Sequence, residues 1–266
     1  MNPLEAIAII LVGTGSGVLS GMFGVGGAVL TTPGLRAFGA TPVESVGSTI
    51  PAILPGALAG AWRYSREGLV EWRVALVTGG VGSACAVLGA ELSDHVNGHL
   101  LMLATAALLL WGGLRSIKPA PSVARERVLV GAPAPPTVVE PTEVIDVAKA
   151  LLIGIAAGLL AGLLGVGGGV LLVPAFTVLL RMAPKRAVGT SLVAVAMFSA
   201  PAMVTHALLG HINWTLALLL VAGVVPGAQL GSHLTLRGSE ARLRLLMGLF
   251  FTLLALVYGA SELLAL

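Results

Sequence analysis

The sequence predicts an all-α membrane protein built from two related halves of opposite orientation. Three observations predict it: apolar runs of bilayer length, a glycine-rich motif that occurs twice, and loop charges whose bias reverses between the halves. Apolar residues make up 56% of the 266 residues and charged residues only 10%, against about 25% charged in soluble domains. Mean hydropathy is +0.98. A single soluble core of this length could not hide so much apolar surface, so lipid must solvate most of the chain.

A bilayer core of about 30 Å needs roughly 20 helical residues. Runs near that length occur at 43–62 (interrupted by Glu44), 74–90, 100–114, 187–205, 214–236 and 245–261. The alternating segments of about 10 residues that mark an outer-membrane barrel are absent. The start, Met1-Asn2-Pro3-Leu4-Glu5, has no basic region, and the apolar stretch after it runs into glycines. It reads as a helix, not as a cleaved leader. Cys85 is the single cysteine, which excludes an intrachain disulfide or a cysteine metal cluster. The formal +3 charge has no basic patch interleaved with aromatics behind it, so nucleic acid is not an expected partner.

The repeat is visible by eye. GTGSGVLSGMFGVGGAVLTTP at 13–33 matches GIAAGLLAGLLGVGGGVLLVP at 154–174, an offset of 141 from Gly13 to Gly154. Further on, Pro42, Val46, Gly47, Ser48 and Thr49 match Pro184, Val188, Gly189, Thr190 and Ser191. Gly68 and Trp72 match Gly210 and Trp214, and Gly89 matches Gly231. The expected division is a first membrane repeat over 1–114, a proline-rich basic linker over 115–147 and a second membrane repeat over 148–266. The linker holds Pro119, Pro121, Pro133, Pro135, Pro136 and Pro141 with Arg115, Lys118, Arg125 and Arg127, a composition that cannot pack a core.

Loops rich in Arg and Lys stay in the cytoplasm. The loop near 36–44 carries only Arg36, the next carries Arg63, Arg66 and Arg73, and 93–99 carries no Arg or Lys. In the second half 181–186 carries Arg181, Lys185 and Arg186, 206–213 carries none, and 236–244 carries Arg237, Arg242 and Arg244. Equivalent loops thus have opposite bias, the mark of an inverted-topology repeat. With the linker and 181–186 both inside, 148–180 must enter and leave on one side. It reads as two short helices of about 15 residues each, meeting at Gly165-Val166-Gly167-Gly168-Gly169. By symmetry 4–36 folds at Gly24-Val25-Gly26-Gly27. Each half then has a glycine-tipped hairpin and three spans, eight to ten helical segments in all, with a cytoplasmic linker and both termini outside.

Glycine at the tips supplies the positive φ of a sharp turn. The helix that restarts after such a turn presents free N–H groups and a positive dipole end, where an anion binds without a charged side chain. Gly13, Gly17 and Gly21, with Gly154, Gly158 and Gly162, are spaced as small-xxx-small helix-packing faces. For Gly24, Gly26, Gly27, Gly165, Gly167, Gly168 and Gly169 a backbone-lined site and pure packing both stay open. Thr31, Ser48, Thr49, Thr190 and Ser191 are hydroxyl donors suited to an oxyanion, or else back-bond to the helix. Gln229 is a further site or gate candidate. Arg63 and His206, at nearly equivalent ends of two spans, are either interfacial anchors or gate and coupling groups. His233 and Glu91 are a proton-linked pair or surface groups. No catalytic constellation, cofactor fingerprint or metal-ligand cluster appears, so an enzyme is not expected and neither is a cofactor.

The doubled G-x-x-x-G-x-x-x-G-x-x-G-V-G-G pattern, followed by Ala187-Val188-Gly189-Thr190-Ser191-Leu192 and its looser copy at 45–50, resembles the sulfite exporter TauE/SafE family. The resemblance spans the chain apart from the linker. It implies a bacterial plasma-membrane permease that moves sulfite, organosulfonates or related small anions outward. Ala28 departs from the pattern where the second half has Gly169. A permease or importer for another anion such as a carboxylate, and a non-transporting membrane scaffold, are the competing readings. Expected partners are a small anion and membrane lipid, with room for self-association.

Overall fold

The computed structural model describes residues 2–92, 106–107, 110–114, 146–164 and 168–263. Among these residues there is no strand. The helices are α1 (Pro3–Phe23), α2 (Ala28–Ala37), α3 (Pro42–Arg66), α4 (Trp72–Leu92), α5 (Val147–Leu164), α6 (Gly169–Val178), α7 (Pro184–Leu208), α8 (Trp214–Arg237) and α9 (Glu240–Leu263), with further helical residues at 110–114. The helices α1, α4, α7 and α8 are long and apolar enough to cross a membrane. Most of the linker expected at 115–147, and Gly165 and Gly167 of the second tip, lie outside the described residues.

Local chemistry starts the helices where the sequence places them. Asn2 and Glu5 form a capping box ahead of Pro3, which satisfies two otherwise orphaned N–H groups. Thr41 accepts from Glu44 N ahead of Pro42, and Asn213 accepts from Thr215 N and Leu216 N. Asp146 accepts from Lys149 N and pairs with its ammonium at 2.8 Å. That Lys149 contact holds the Asp146 carboxyl below its ordinary range.

The hairpin arms are unequal, unlike the two arms of about 15 residues expected from sequence. The first arms α1 and α5 have 21 and 18 residues, and the second arms α2 and α6 have 10 each. The reason is packing. Each first arm lays its glycine face along a full-length partner, whereas a second arm of ~15 Å reaches only half-way through a bilayer.

Helix pairing obeys an exchange rule between the halves. α1 packs on α8 as α5 packs on α4; α3 packs on α8 as α7 packs on α4; α2 lies on α3 as α6 lies on α7; α3 and α7 pack on each other. Directions follow from which residues meet. Gly13 lies beside Leu220 and Gly21 beside Ala228, so α1 and α8 run parallel; Gly154 beside Thr78 and Gly162 beside Ala86 make α5 and α4 parallel. Gly47 abuts His211 while Gly60 meets Leu192 and Gly189 meets Tyr64, so the equivalent helices α3 and α7 run antiparallel.

The glycine faces set how close the backbones come. A Cβ on Gly17 or Gly21 would overlap the carbonyl oxygen of Val224 or Ala228, and one on Gly227 or Gly231 would overlap that of Thr14 or Val18. The other pair is built alike: a Cβ on Gly158 would overlap Gly82 O, and one on Gly162 would overlap Ala86 O. Backbones in contact gain dispersion energy that lipid cannot replace. Between the pairs, fully buried Tyr64 of α3 donates its O–H to Gly21 O at 2.9 Å. Gly21 is in the last turn of α1, where carbonyls lack helical partners.

Two stability predictions follow from this packing. Gly158→Leu forces α4 and α5 apart and should cost at least ~3 kcal/mol, seen as a lower melting temperature of the detergent-purified protein or loss of folded material. Tyr64→Phe leaves a buried carbonyl without its donor and should cost about 1–2 kcal/mol, a smaller shift in the same assay. Equal stability of Gly158→Leu and the parent protein would contradict the close approach.

Candidate functional site

The first glycine turn and the start of α6 meet inside the bundle. α1 ends at Gly24 (φ 71°), whose N–H donates to Ser20 O at 2.8 Å. Gly26 and Gly27 follow with φ of 84° and 86°, and α2 starts directly after them. In the other half Gly168 (φ 61°) starts α6. These left-handed values suit glycine and strain any other residue. A Cβ on Gly169 would overlap Gly24 O and lie 2.8 Å from Val25 C, so the start of α6 sits against the first tip. Residues 24–28 and 168–170 are all buried.

Side chains around the turns are short and hydroxylic. Ser16 donates its O–H to Gly27 O, and Thr31 back-bonds to the same oxygen at 3.2 Å. The Ser191 hydroxyl lies 3.1 Å from Gly24 O and 2.8 Å from Val188 O, so it can donate to the first tip or to its own helix. Ser20, fully buried, sits beside Gly27 and its Oγ has no hydrogen-bond partner. Thr32 Oγ1 and the fully buried Thr49 Oγ1 also have none. Among the described residues no Lys, Arg, Asp or Glu is buried. The turns therefore form an uncharged region of backbone and hydroxyls. At it begin two helices, each start carrying about half a positive charge and free N–H groups, and at it ends α1 with its carbonyls and negative dipole end.

The other candidates from the sequence sit elsewhere. Ser48 accepts from Asn213 N at 2.8 Å, and its equivalent Thr190 accepts from Glu71 N at 3.0 Å, so both hydroxyls hold the chain entering a helix of the other half. Thr49 is one residue on from Ser48, at the position equivalent to Ser191. Gln229 is exposed on the outside of α8, and its carbonyl accepts from Arg63 at 3.4 Å. Arg63 also lies 2.9 Å from His233 Nδ1. His206 is buried at the opposite end of the bundle, its Nδ1 3.2 Å from His211 Nδ1. His211 and Glu44 line an open pocket of about 600 Å³ there. Sequence reasoning missed Ser16 and Ser20. The signal was their four-residue spacing on α1, where the second half has Ala157 and Ala161.

Charge separates by end. The 63–73 and 181–186 connections meet through Arg186 and Glu71 (2.5 Å), and Lys185 reaches Leu236 O at the end of α8. Arg36, at the end of α2, lies toward the opposite end.

The family model for Sulfite exporter TauE/SafE matches residues 9–258. A protein of Xylella fastidiosa (strain Temecula1 / ATCC 700964) named probable membrane transporter protein is 31% identical over 238 residues, covering 88% of this chain and 87% of the relative. The Bacillus subtilis (strain 168) probable membrane transporter protein YjnA is 28% identical over 257 residues, covering 91% and 95%. Its YunE counterpart is 26% identical over 245 residues, covering 86% and 88%. No solved structure matches the chain. With a match over nearly the whole length and helices apolar enough to cross a bilayer, this chain is a membrane protein that belongs to the sulfite exporter TauE/SafE family.

Proposed function

We propose that the protein is a secondary transporter of small anions in a bacterial plasma membrane, exporting sulfite or a related sulfur oxyanion or organosulfonate by alternating access. The observation that carries this reading is the meeting of two glycine-started helix ends in a buried, uncharged, hydroxyl-lined region. Broken helices with ends at mid-depth are how secondary transporters hold ions without charged side chains. The halves 1–114 and 148–266 act as an inverted-topology repeat joined by the cytoplasmic linker 115–147. The antiparallel course of α3 and α7 and the exchange rule of helix pairing support this. Rocking of α1–α2 with its packed partners against α5–α6 would expose the tips to one side and then the other. A membrane potential favours anion exit by about 2.3 kcal/mol per charge per 100 mV.

The cation-rich end, with Arg63, Lys185 and Arg186, faces the cytoplasm in this reading, and the end with His206 and Glu44 faces outward. In a Cys85→Ser background, an impermeant maleimide should label Phe38→Cys in intact cells and Ser239→Cys only after permeabilisation. The reverse pattern would invert the orientation.

Function is tested with purified protein in proteoliposomes. Saturable sulfite flux is expected from the parent protein. It should fall at least about tenfold in Gly169→Leu, because the side chain must displace the first tip. Flux that survives Gly169→Leu in a correctly inserted sample would separate transport from the hairpins. A folded parent that moves neither sulfite, sulfonates nor carboxylates would overturn the transporter reading.

A further inference from the structure

We infer that the site at the hairpin tips selects singly charged anions, so that the transported forms are hydrogensulfite or a monosulfonate and not the sulfite or sulfate dianion. This rests on the reading of the tips as the transport site and adds the charge of the ligand.

The argument is one of charge balance. The helix starts at Ala28 and Gly169 each carry about half an elementary positive charge, and α1 ends with its negative dipole end at the same tip, so the backbone supplies at most about one positive charge. Around them are Ser16, Thr31 and Ser191, whose hydroxyls donate to backbone carbonyls, and Ser20, whose hydroxyl has no partner; none of the four carries charge. No buried Lys or Arg is described anywhere in the bundle. Among the described residues the buried side chain with a basic nitrogen is His206, held beside His211 at the end of the bundle away from Arg63. A monoanion therefore keeps less than one uncompensated charge at the tips, whereas a dianion keeps at least a full charge out of water without a counter-charge, the costly case of burial.

A second observation points to a ligand. Ser20 is fully buried, stands beside Gly27 at the start of α2, and its hydroxyl has no partner. A buried donor without an acceptor is unfavourable in the free protein, and an anion oxygen at the start of α2 would supply the acceptor. The equivalent position in the other half is Ala161, so alanine is compatible with this backbone.

The test uses the full chain in proteoliposomes with three probes: sulfite, methanesulfonate (a fixed monoanion) and sulfate (a dianion at neutral pH). Per total sulfite, flux should fall about tenfold per pH unit above sulfite's second ionisation, while methanesulfonate flux stays flat over the same range. Methanesulfonate should compete with sulfite, and sulfate should compete at least about tenfold more weakly. Ser20→Ala, if it inserts normally, should raise the half-saturation concentration for methanesulfonate about tenfold. Sulfate competing as well as methanesulfonate, or sulfite flux indifferent to pH, would overturn the inference and leave the transporter reading intact. An unchanged half-saturation in Ser20→Ala would remove the built site on which the inference stands. Absence of flux for every probe would overturn the transporter reading itself.

Discussion

Inside a bilayer no water is present to satisfy a broken backbone. Each unpaired N–H or C=O costs several kcal/mol there, and irregular chain survives only where protein covers it. The rest of this structure depends on that constraint. Helical backbone is interrupted at Gly24–Gly27 and starts again at left-handed Gly168 in the other half, so other helices must enclose these ends. The enclosure comes from α7, whose Val188 and Ser191 stand against Gly24 and whose Phe198 stands against Gly168, while α8 against α1 and α4 against α5 hold the long arms through backbones that touch at glycine faces. Tyr64 shows the constraint at atomic scale: its hydroxyl satisfies a carbonyl that the end of α1 leaves orphaned.

The exchange rule between the halves lets one solution serve twice, and the places where it breaks show what each copy needs locally. Ser48 on Asn213 N and Thr190 on Glu71 N are the same contact in two copies. Beside them, Glu44 bonds the Asn213 amide at one end of the bundle, while Arg186 pairs with Glu71 at the other. That swap leaves the geometry in place and puts the cation at the end where the other basic residues gather. Tyr64 and His206 also occupy equivalent positions, one closing off a hairpin end and the other forming a histidine pair. The first tip is lined by Ser16 and Ser20 and the second half by Ala157 and Ala161. Near-symmetric backbone therefore carries an asymmetric set of hydroxyls.

The proposed site, made of helix ends and hydroxyls, suits passage better than storage. Its charge is fixed in the backbone, so it neither titrates nor moves out of register when a ligand leaves. Conduction needs binding that is favourable enough to admit an ion and weak enough to release it. A buried Lys or Arg would tip that balance toward retention, and none is described in the core.

The sequence by itself determined the class of this protein, because hydropathy over bilayer length is a local property of composition. The doubled motif likewise exposed the repeat, the helix-packing faces and the position of the first turn, since glycine spacing reads directly as close approach and positive φ. What it could not settle was partnership across more than a hundred residues. From sequence Ser48 and Thr190 could serve as oxyanion donors or back-bond to their own helices, and only tertiary structure showed their hydroxyls accepting from backbone N–H groups of the other half. Gln229, apolar-flanked in sequence, faces outward because α8 turns its glycine side to α1. Arm lengths of 21 and 10 residues in the first hairpin, in place of two similar arms, were also decided by packing. Ser20 entered the site for the same reason: a serine one turn before a glycine turn is unremarkable until the chain folds back and sets Gly27 beside it.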